Sequence, residues 1–472
     1  MEGIMLKTKK NQQFTKLKGQ LFRCIVASFT AVGLLTLGGN ALILSQAHAD
    51  EPDVSIRNWY SYMGISVPEL KPSWTAQVDN YLNMNEPYIG HQAVAEEGKV
   101  FTFADSKLIS FDAKTGKRLW SYGKGLTPYV VYHNNVIYGL TGDHKPYALN
   151  AKTGKAIWQS GSSTWIDTRY HTEMLVPTED TLYIIQGSTT FAFDMKTGKL
   201  KWRADEPLGE GNGTDYLEES NGVVLRTFYV QGALTSIQLN AYDKKTGKKL
   251  WDEFGQGEAL QIKDGLVYSV DYHSSKLTEY QSKPERKVSV NAYNLKTGVQ
   301  KGSLEYNWKM NGEPPYDYGY GSVFASNGKL YIEQGDQVAE YNFDKYTANA
   351  DPLQTYPRPF YKENGLSLGI VQERLIYKNE TTGELAGIKL VNGQEIKWYG
   401  DAPVAQISVY GKGMYRTQRN GTMFGINMLT ATPVFRVTTG ADLHEATLKT
   451  DGMIIIQAEG KLLGVKLPAS LR

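Results

Sequence analysis

The chain has 472 residues, 51 Lys and Arg against 49 Asp and Glu, and a single cysteine. The near balance of charge gives no reason to expect nucleic acid as a partner, and one cysteine excludes a disulfide framework or a paired-thiol metal site. The length suits two or three ordinary domains or one large repeat array.

The first 49 residues have the layout of a secretory signal. Lys7, Lys9, Lys10, Lys16, Lys18 and Arg23 form a basic head, 24–44 is an apolar run, and Ala47 and Ala49 are small residues at the spacing of a cleavage site before Asp50. The competing reading is an uncleaved anchor, since about 20 apolar residues can span a bilayer. Gly38-Gly39-Asn40 inside the run and the Ala-His-Ala site favour cleavage. Cys24 lies at the start of the apolar run, whereas a lipid-anchor cysteine stands at its end. After cleavage the chain would carry no cysteine, with 45 basic and 48 acidic side chains. No later segment is apolar enough to cross a membrane. The expected location is therefore secreted, or extracytoplasmic at the cell envelope, with 50–70 as an N-terminal extension and 71–472 as the folded body.

From there on, one phrase recurs. "FDAKTGKRLW" (111–120) returns as "LNAKTGKAIW" (149–158), "FDMKTGKLKW" (193–202) and "YDKKTGKKLW" (242–251). Weaker copies follow at 293–302, 343–352, 389–398 and 426–435, the seventh keeping Trp398. Before each copy lie runs of about five residues rich in Val, Ile, Phe, Tyr and Leu, separated by Gly, Asp, Asn or Ser turns, which predict strand–turn–strand. No stretch after residue 50 sustains a 3.6-residue apolar period. The 31 tyrosines and 9 tryptophans suit pleated surfaces.

The phrase has a mechanical explanation. Asp or Asn opens a tight turn by accepting backbone N–H groups. Gly116, Gly154, Gly198 and Gly247 supply a positive φ. Trp120, Trp158, Trp202 and Trp251 then bury a large ring on an outer strand, worth roughly 1.5–3 kcal/mol each. A four-stranded sheet cannot cover its own faces, whereas radial stacking of such sheets can. The prediction is all-β: a single β-propeller of four-stranded blades, eight or nine in number. Residues 446–467 supply only three strands, so 71–78, with Trp74, is predicted to add the fourth and close the ring by pairing N- and C-terminal strands.

The pattern in "SFDAKTGKRLW", "ALNAKTGKAIW", "AFDMKTGKLKW" and "AYDKKTGKKLW" resembles the tryptophan-docking motif of pyrroloquinoline quinone (PQQ) dehydrogenases and their non-enzymatic relatives, over about residues 70–470. For the enzymes, that resemblance implies an axial quinone with a calcium ion. This chain lacks their adjacent cysteine pair and long inserts, and no calcium ligand or catalytic aspartate can be matched residue by residue. It is more similar to the short PQQ-like repeat proteins, among them the propeller subunit of the outer-membrane β-barrel assembly machinery, which binds other proteins. It has no lipobox, unlike that subunit.

Candidate chemistry is sparse. His91, His171 and His444 each precede the second strand of a unit, where they could converge on the channel mouth and hold a metal or anion, or else be three separately bonded side chains. "NGEPPYDYGYGS" (311–322) is an aromatic loop whose Tyr316, Tyr318 and Tyr320 are candidate partner-binding residues. Residues 271–287 form a polar insertion, and known catalytic signatures are absent. The expectation is a non-catalytic propeller binding an envelope protein or glycan, with no cofactor. The alternatives are a PQQ- or metal-dependent oxidoreductase and a carbohydrate-binding or carbohydrate-processing propeller.

Overall fold

The computed structural model describes residues 54–56, 67–81, 93–165, 173–207, 213–230, 236–273, 282–316, 322–398 and 404–472. The segment expected to be a signal lies outside them, as do His91, His171, Tyr318 and Tyr320. The described residues are all β, with no α-helix and one short 3-10 turn, Ala469–Leu471.

Nine antiparallel sheets follow one another along the chain. We number them as blades: 1 (94–122), 2 (126–159), 3 (173–205), 4 (213–254), 5 (256–309), 6 (323–357), 7 (365–398), 8 (404–438) and 9 (448–466). Within each, consecutive strands pair in order. Blade 9 has three strands of its own and takes Trp74–Gln77 as its fourth, with Trp74 opposite Gly464 and Gln77 opposite Lys461. Of the two blade numbers expected, nine is the one found, and the ring closes as the sequence predicts.

The strand patterns explain the stacking. In blade 1, Lys99–Ala104 buries four consecutive residues, Val100 to Phe103, and Lys107–Asp112 buries Leu108 to Phe111. Such unbroken burial belongs to a sheet covered on both faces. The fourth strands instead alternate: in Ala156–Gln159 only Trp158 is buried. They form the outer rim, and the first strands of several neighbouring blades approach each other around the axis.

Nine apolar clusters fill nine junctions, each drawn from two adjacent blades. The ninth joins Leu448, Met453, Ile455 and Leu462 of blade 9 to Val100, Ile109 and Phe111 of blade 1. Hence there is no single core. The fold is held by a cycle of interfaces, each as apolar as a small domain's interior.

The alternation of turns gives the ring two faces. Turns between first and second strands and between third and fourth strands lie on one face. Turns between second and third strands, and the connections from blade to blade, lie on the other.

Candidate functional site

The recurring phrase resolves into a joint between blades. Asp112 Oδ1 accepts the N–H groups of Lys114 (3.1 Å) and Thr115 (2.8 Å) and the Thr115 hydroxyl (2.8 Å), and Gly116 N–H closes the turn on Asp112 O at 2.8 Å. Asn150, Asp194, Asp243 and Asn294 make the same turn. The Thr197 and Thr246 hydroxyls hold the Asp194 and Asp243 carboxyls below the usual range. The glycine at each turn has φ near +70° (67° at Gly198, 70° at Gly154).

What the glycine faces is the preceding blade's tryptophan. A Cβ on Gly116 would lie 2.7 Å from the Trp74 ring, one on Gly154 2.6 Å from Trp120, one on Gly198 2.3 Å from Trp158, and one on Gly247 2.5 Å from Trp202. Gly298 stands against Trp251 in the same way. Each indole N–H donates to a carbonyl of that turn: Trp74 to Ala113 (2.8 Å), Trp120 to Ala151 (3.0 Å), Trp158 to Met195 (2.8 Å), Trp202 to Lys244 (2.7 Å) and Trp251 to Leu295 (2.9 Å). All these side chains are absorbed in packing.

Later joints vary the theme. Tyr356 takes the ring position of blade 6 and donates to Leu390 O at 3.1 Å. Blade 5 has Gly302 where a tryptophan would stand, and there the contact reverses: Tyr346, in the turn of blade 6, donates its hydroxyl to Glu305 O (3.2 Å) and accepts Glu305 N–H (3.0 Å). Trp398 packs in the junction of blades 7 and 8 beside Met428 and Ala431, but its indole N–H has no partner among the described residues. Ala431 holds φ 57° where the earlier turns have glycine.

The two faces differ in chemistry. The turn face carries lysine tips such as Lys114, which pairs with Asp451 at 2.7 Å. The opposite face carries exposed aromatic rings: Trp165 (52 % exposed) after blade 2, Phe254 (52 %) at the end of blade 4, and Tyr272 (48 %) after the second strand of blade 5. These rings are exposed yet held. Trp165 lies 4.6 Å from the His144 ring, and its loop is tied back by Thr164 N–H and hydroxyl to His144 O (2.8 and 2.9 Å) and by Ser163 to Asp143 O (2.7 Å). Phe254 meets His273 edge-on at 6.3 Å. Tyr272 lies over Gly257, where a Cβ would come within 2.7 Å of its ring. Tyr316, half-buried, is on the connection from blade 5 to blade 6, on this same face.

His444 is buried in the last blade. It bridges to Ala458, its Nε2 lies 2.9 Å from Thr439 Oγ1, and burial lowers its pKa to about 4. It is placed as a neutral interior side chain.

Several buried charges, Arg226 and Glu333 among them, escaped the sequence reading. Arg226, fully buried in blade 4, donates to Thr190 Oγ1 (2.6 Å), Thr214 O (2.9 Å) and Gly187 O (3.2 Å), and its guanidinium lies 4.9 Å from the Phe228 ring centre. Glu333 of blade 6 pairs with Arg358 at 3.2 Å and accepts Tyr377 OH of blade 7 at 2.9 Å; burial raises its pKa against the pull of Arg358. Each staples two blades together. The repeat does not mark them, because the same second-strand positions hold residues as different as Thr102, Ser269 and Ile332 for Arg226, and Phe103, Thr227 and Gln457 for Glu333.

An axial quinone with calcium needs a convergent set of carboxylate or histidine ligands. Among the described residues no group of three or more His, Cys, Asp or Glu is so arranged, and no quinone or calcium ligand is assigned.

A family model described as outer membrane protein assembly factor BamB matches residues 104–262, about a third of the chain. Among curated proteins there is no match. Solved structures with a similar shape include BamB from Moraxella catarrhalis (13 % identity, TM-score 0.42, 84 % of this chain and 100 % of that one). Quinohemoprotein alcohol dehydrogenase from Comamonas testosteroni is another (12 %, TM-score 0.43, 94 % and 85 %). The matched stretch spans most of blades 1 to 4, where the turn-and-tryptophan joint is most regular. The nine sheets and the joints between them make the described residues a nine-bladed β-propeller, and its blades 1 to 4 are similar to the BamB family model.

Proposed function

We propose that the chain is a non-catalytic scaffold at the cell envelope, delivered there by its N-terminal segment, and that it binds a protein partner through the face bearing Trp165, Phe254 and Tyr272. The supporting observation is that these rings are exposed and yet fixed in place by backbone ties, histidine contacts and a glycine. A pre-positioned ring loses little conformational entropy when a partner covers it, which is what makes aromatic anchors effective. The description of the matching family model, a protein assembly factor, supports a protein as the partner.

The test is capture from envelope extract by the wild-type chain and by a Trp165→Ala, Phe254→Ala, Tyr272→Ala triple variant. The variant should keep its melting temperature, because all three rings lie outside the apolar clusters, and lose the captured protein. Capture that survives the triple change would refute this face as the binding surface. Dye reduction on adding PQQ and calcium would refute the non-catalytic role.

A further inference from the structure

Among the described residues, blade 8 differs from the other eight. It has a fifth strand, Val54–Ile56, placed beyond its first strand, Val404–Tyr410. The pairing is antiparallel, with Val54 opposite Val409, Ser55 opposite Ser408 and Ile56 opposite Ile407. The first strand of a blade borders the axis, so this short segment lies on the axial side of the ring. The burial of its neighbour agrees. All seven residues of Val404–Tyr410 are buried, whereas the first strand of blade 6, Val323–Ser326, is only half-buried throughout, and that of blade 7 is half-buried at four of seven positions.

The chain then reappears at the other edge of the same blade. Arg436 N–H donates to Pro68 O (2.9 Å), Leu70 N–H donates to Arg436 O (2.8 Å), and the Glu69 carboxylate accepts Arg436 Nη2 (3.2 Å) and Thr438 Oγ1 (2.8 Å). Val67 packs into the junction of blades 7 and 8, and Leu70 into that of blades 8 and 9. The N-terminal extension is thus anchored outside the ring independently of its axial strand. Ring closure is independent as well, because it belongs to Trp74–Gln77.

Among the described residues this strand pairs with three of the seven residues of the edge, Ile407–Val409, and so contributes few ladder bonds. Open strand edges bind extended peptides by main-chain pairing, with alternate side chains giving selectivity. We propose that the axial edge of blade 8 is an acceptor site for an extended peptide segment of a partner protein, and that Val54–Ile56 is its resident, displaceable occupant. The outer anchor at Pro68–Leu70 keeps that occupant at high local concentration, so it competes as an intramolecular ligand. The resident sequence describes what the site takes: a strand antiparallel to Val404–Tyr410, with β-branched residues on either side of a small polar one. An axial position requires a chain terminus or an unfolded stretch, since a folded hairpin would bring a second strand into the channel. This inference rests on the protein-binding reading and names a second, separate contact for it.

The experiment uses the full chain and a labelled peptide of residues 50–60, followed by fluorescence anisotropy. Ser55→Pro removes a strand N–H and disfavours pairing, and Val54→Asp with Ile56→Asp removes the apolar residues. Both variants should melt like wild type, lose hydrogen-exchange protection across 407–409, and bind the peptide at least about tenfold more tightly than wild type does. A peptide carrying proline at position 55 should not bind. Equal affinity for wild type and both variants, or no saturable binding to either variant, would overturn the proposal. Failure here leaves capture through the aromatic face intact, and failure of that capture leaves the peptide result standing, so the two ideas fail separately.

Discussion

His444 shows how much a single residue's meaning depends on its surroundings. Its place in the sequence, ahead of a second strand, is compatible with a ligand at a channel mouth. The structure gives it one partner, the Thr439 hydroxyl, in an interior that disfavours the imidazolium. Its folded pKa of about 4 lies below the usual value of 6.5, so the unfolded chain binds the proton more readily. Stability should be insensitive to this group above pH 6.5 and should fall as pH drops from 6.5 towards 4, by up to about 3 kcal/mol. Urea titrations of wild type and His444→Gln across that window should diverge, with the variant flatter. Parallel curves would show that His444 is not buried in its neutral form.

At the scale of the joint, the interaction is between a ring and a space. Gly198 serves twice: it adopts φ 67°, and it leaves open the volume that Trp158 fills. Gly198→Ala should therefore cost more than the left-handed backbone penalty of roughly 1–2 kcal/mol, because Trp158 must move and loosen its bond to Met195 O. A loss of about 3–4 kcal/mol in chemical denaturation is expected, against about 1–2 kcal/mol for Gly222→Ala, a turn glycine at φ 80° with nothing within 4 Å, which bears the backbone term alone. Equal losses would mean the ring does not occupy the gap. The joint was also the most legible part of the sequence, since Asp, Gly and Trp each have a local physical reason to stand where they do. The reversed contact of Tyr346 was not legible, because a tyrosine in one turn compensates for a missing ring some 40 residues earlier and only the folded ring brings them together. The same holds for Arg226 and Glu333, whose burial is set by neighbouring blades, and for Val54–Ile56, a three-residue strand too short to show any period.

For the whole molecule, stability is cyclic. A linear stack of blades would leave two terminal faces bare, and each terminal blade would have a neighbour on one side only. Here Trp74 carries the same joint across the seam between blade 9 and blade 1: its indole donates to Ala113 O, and its ring lies against Gly116 and over Gly464. The strand that holds it is only four residues long. If the ring is closed in solution, Trp74→Ala and Trp158→Ala remove equivalent contacts and should cost similar amounts, about 3–5 kcal/mol each. The two should still differ in kind. Trp158→Ala weakens a junction whose blades remain joined by the chain, whereas Trp74→Ala weakens the one junction where the ring can open. Opening there bares the edge Lys461–Lys466 and the apolar faces of blades 9 and 1. Only the Trp74 variant should then show a broadened, concentration-dependent unfolding transition with dimers in sedimentation velocity. A Trp74 variant that stays monomeric and loses less than about 1 kcal/mol would mean that the seam is held without its tryptophan, and that the ring is closed by the apolar cluster of blades 9 and 1 alone.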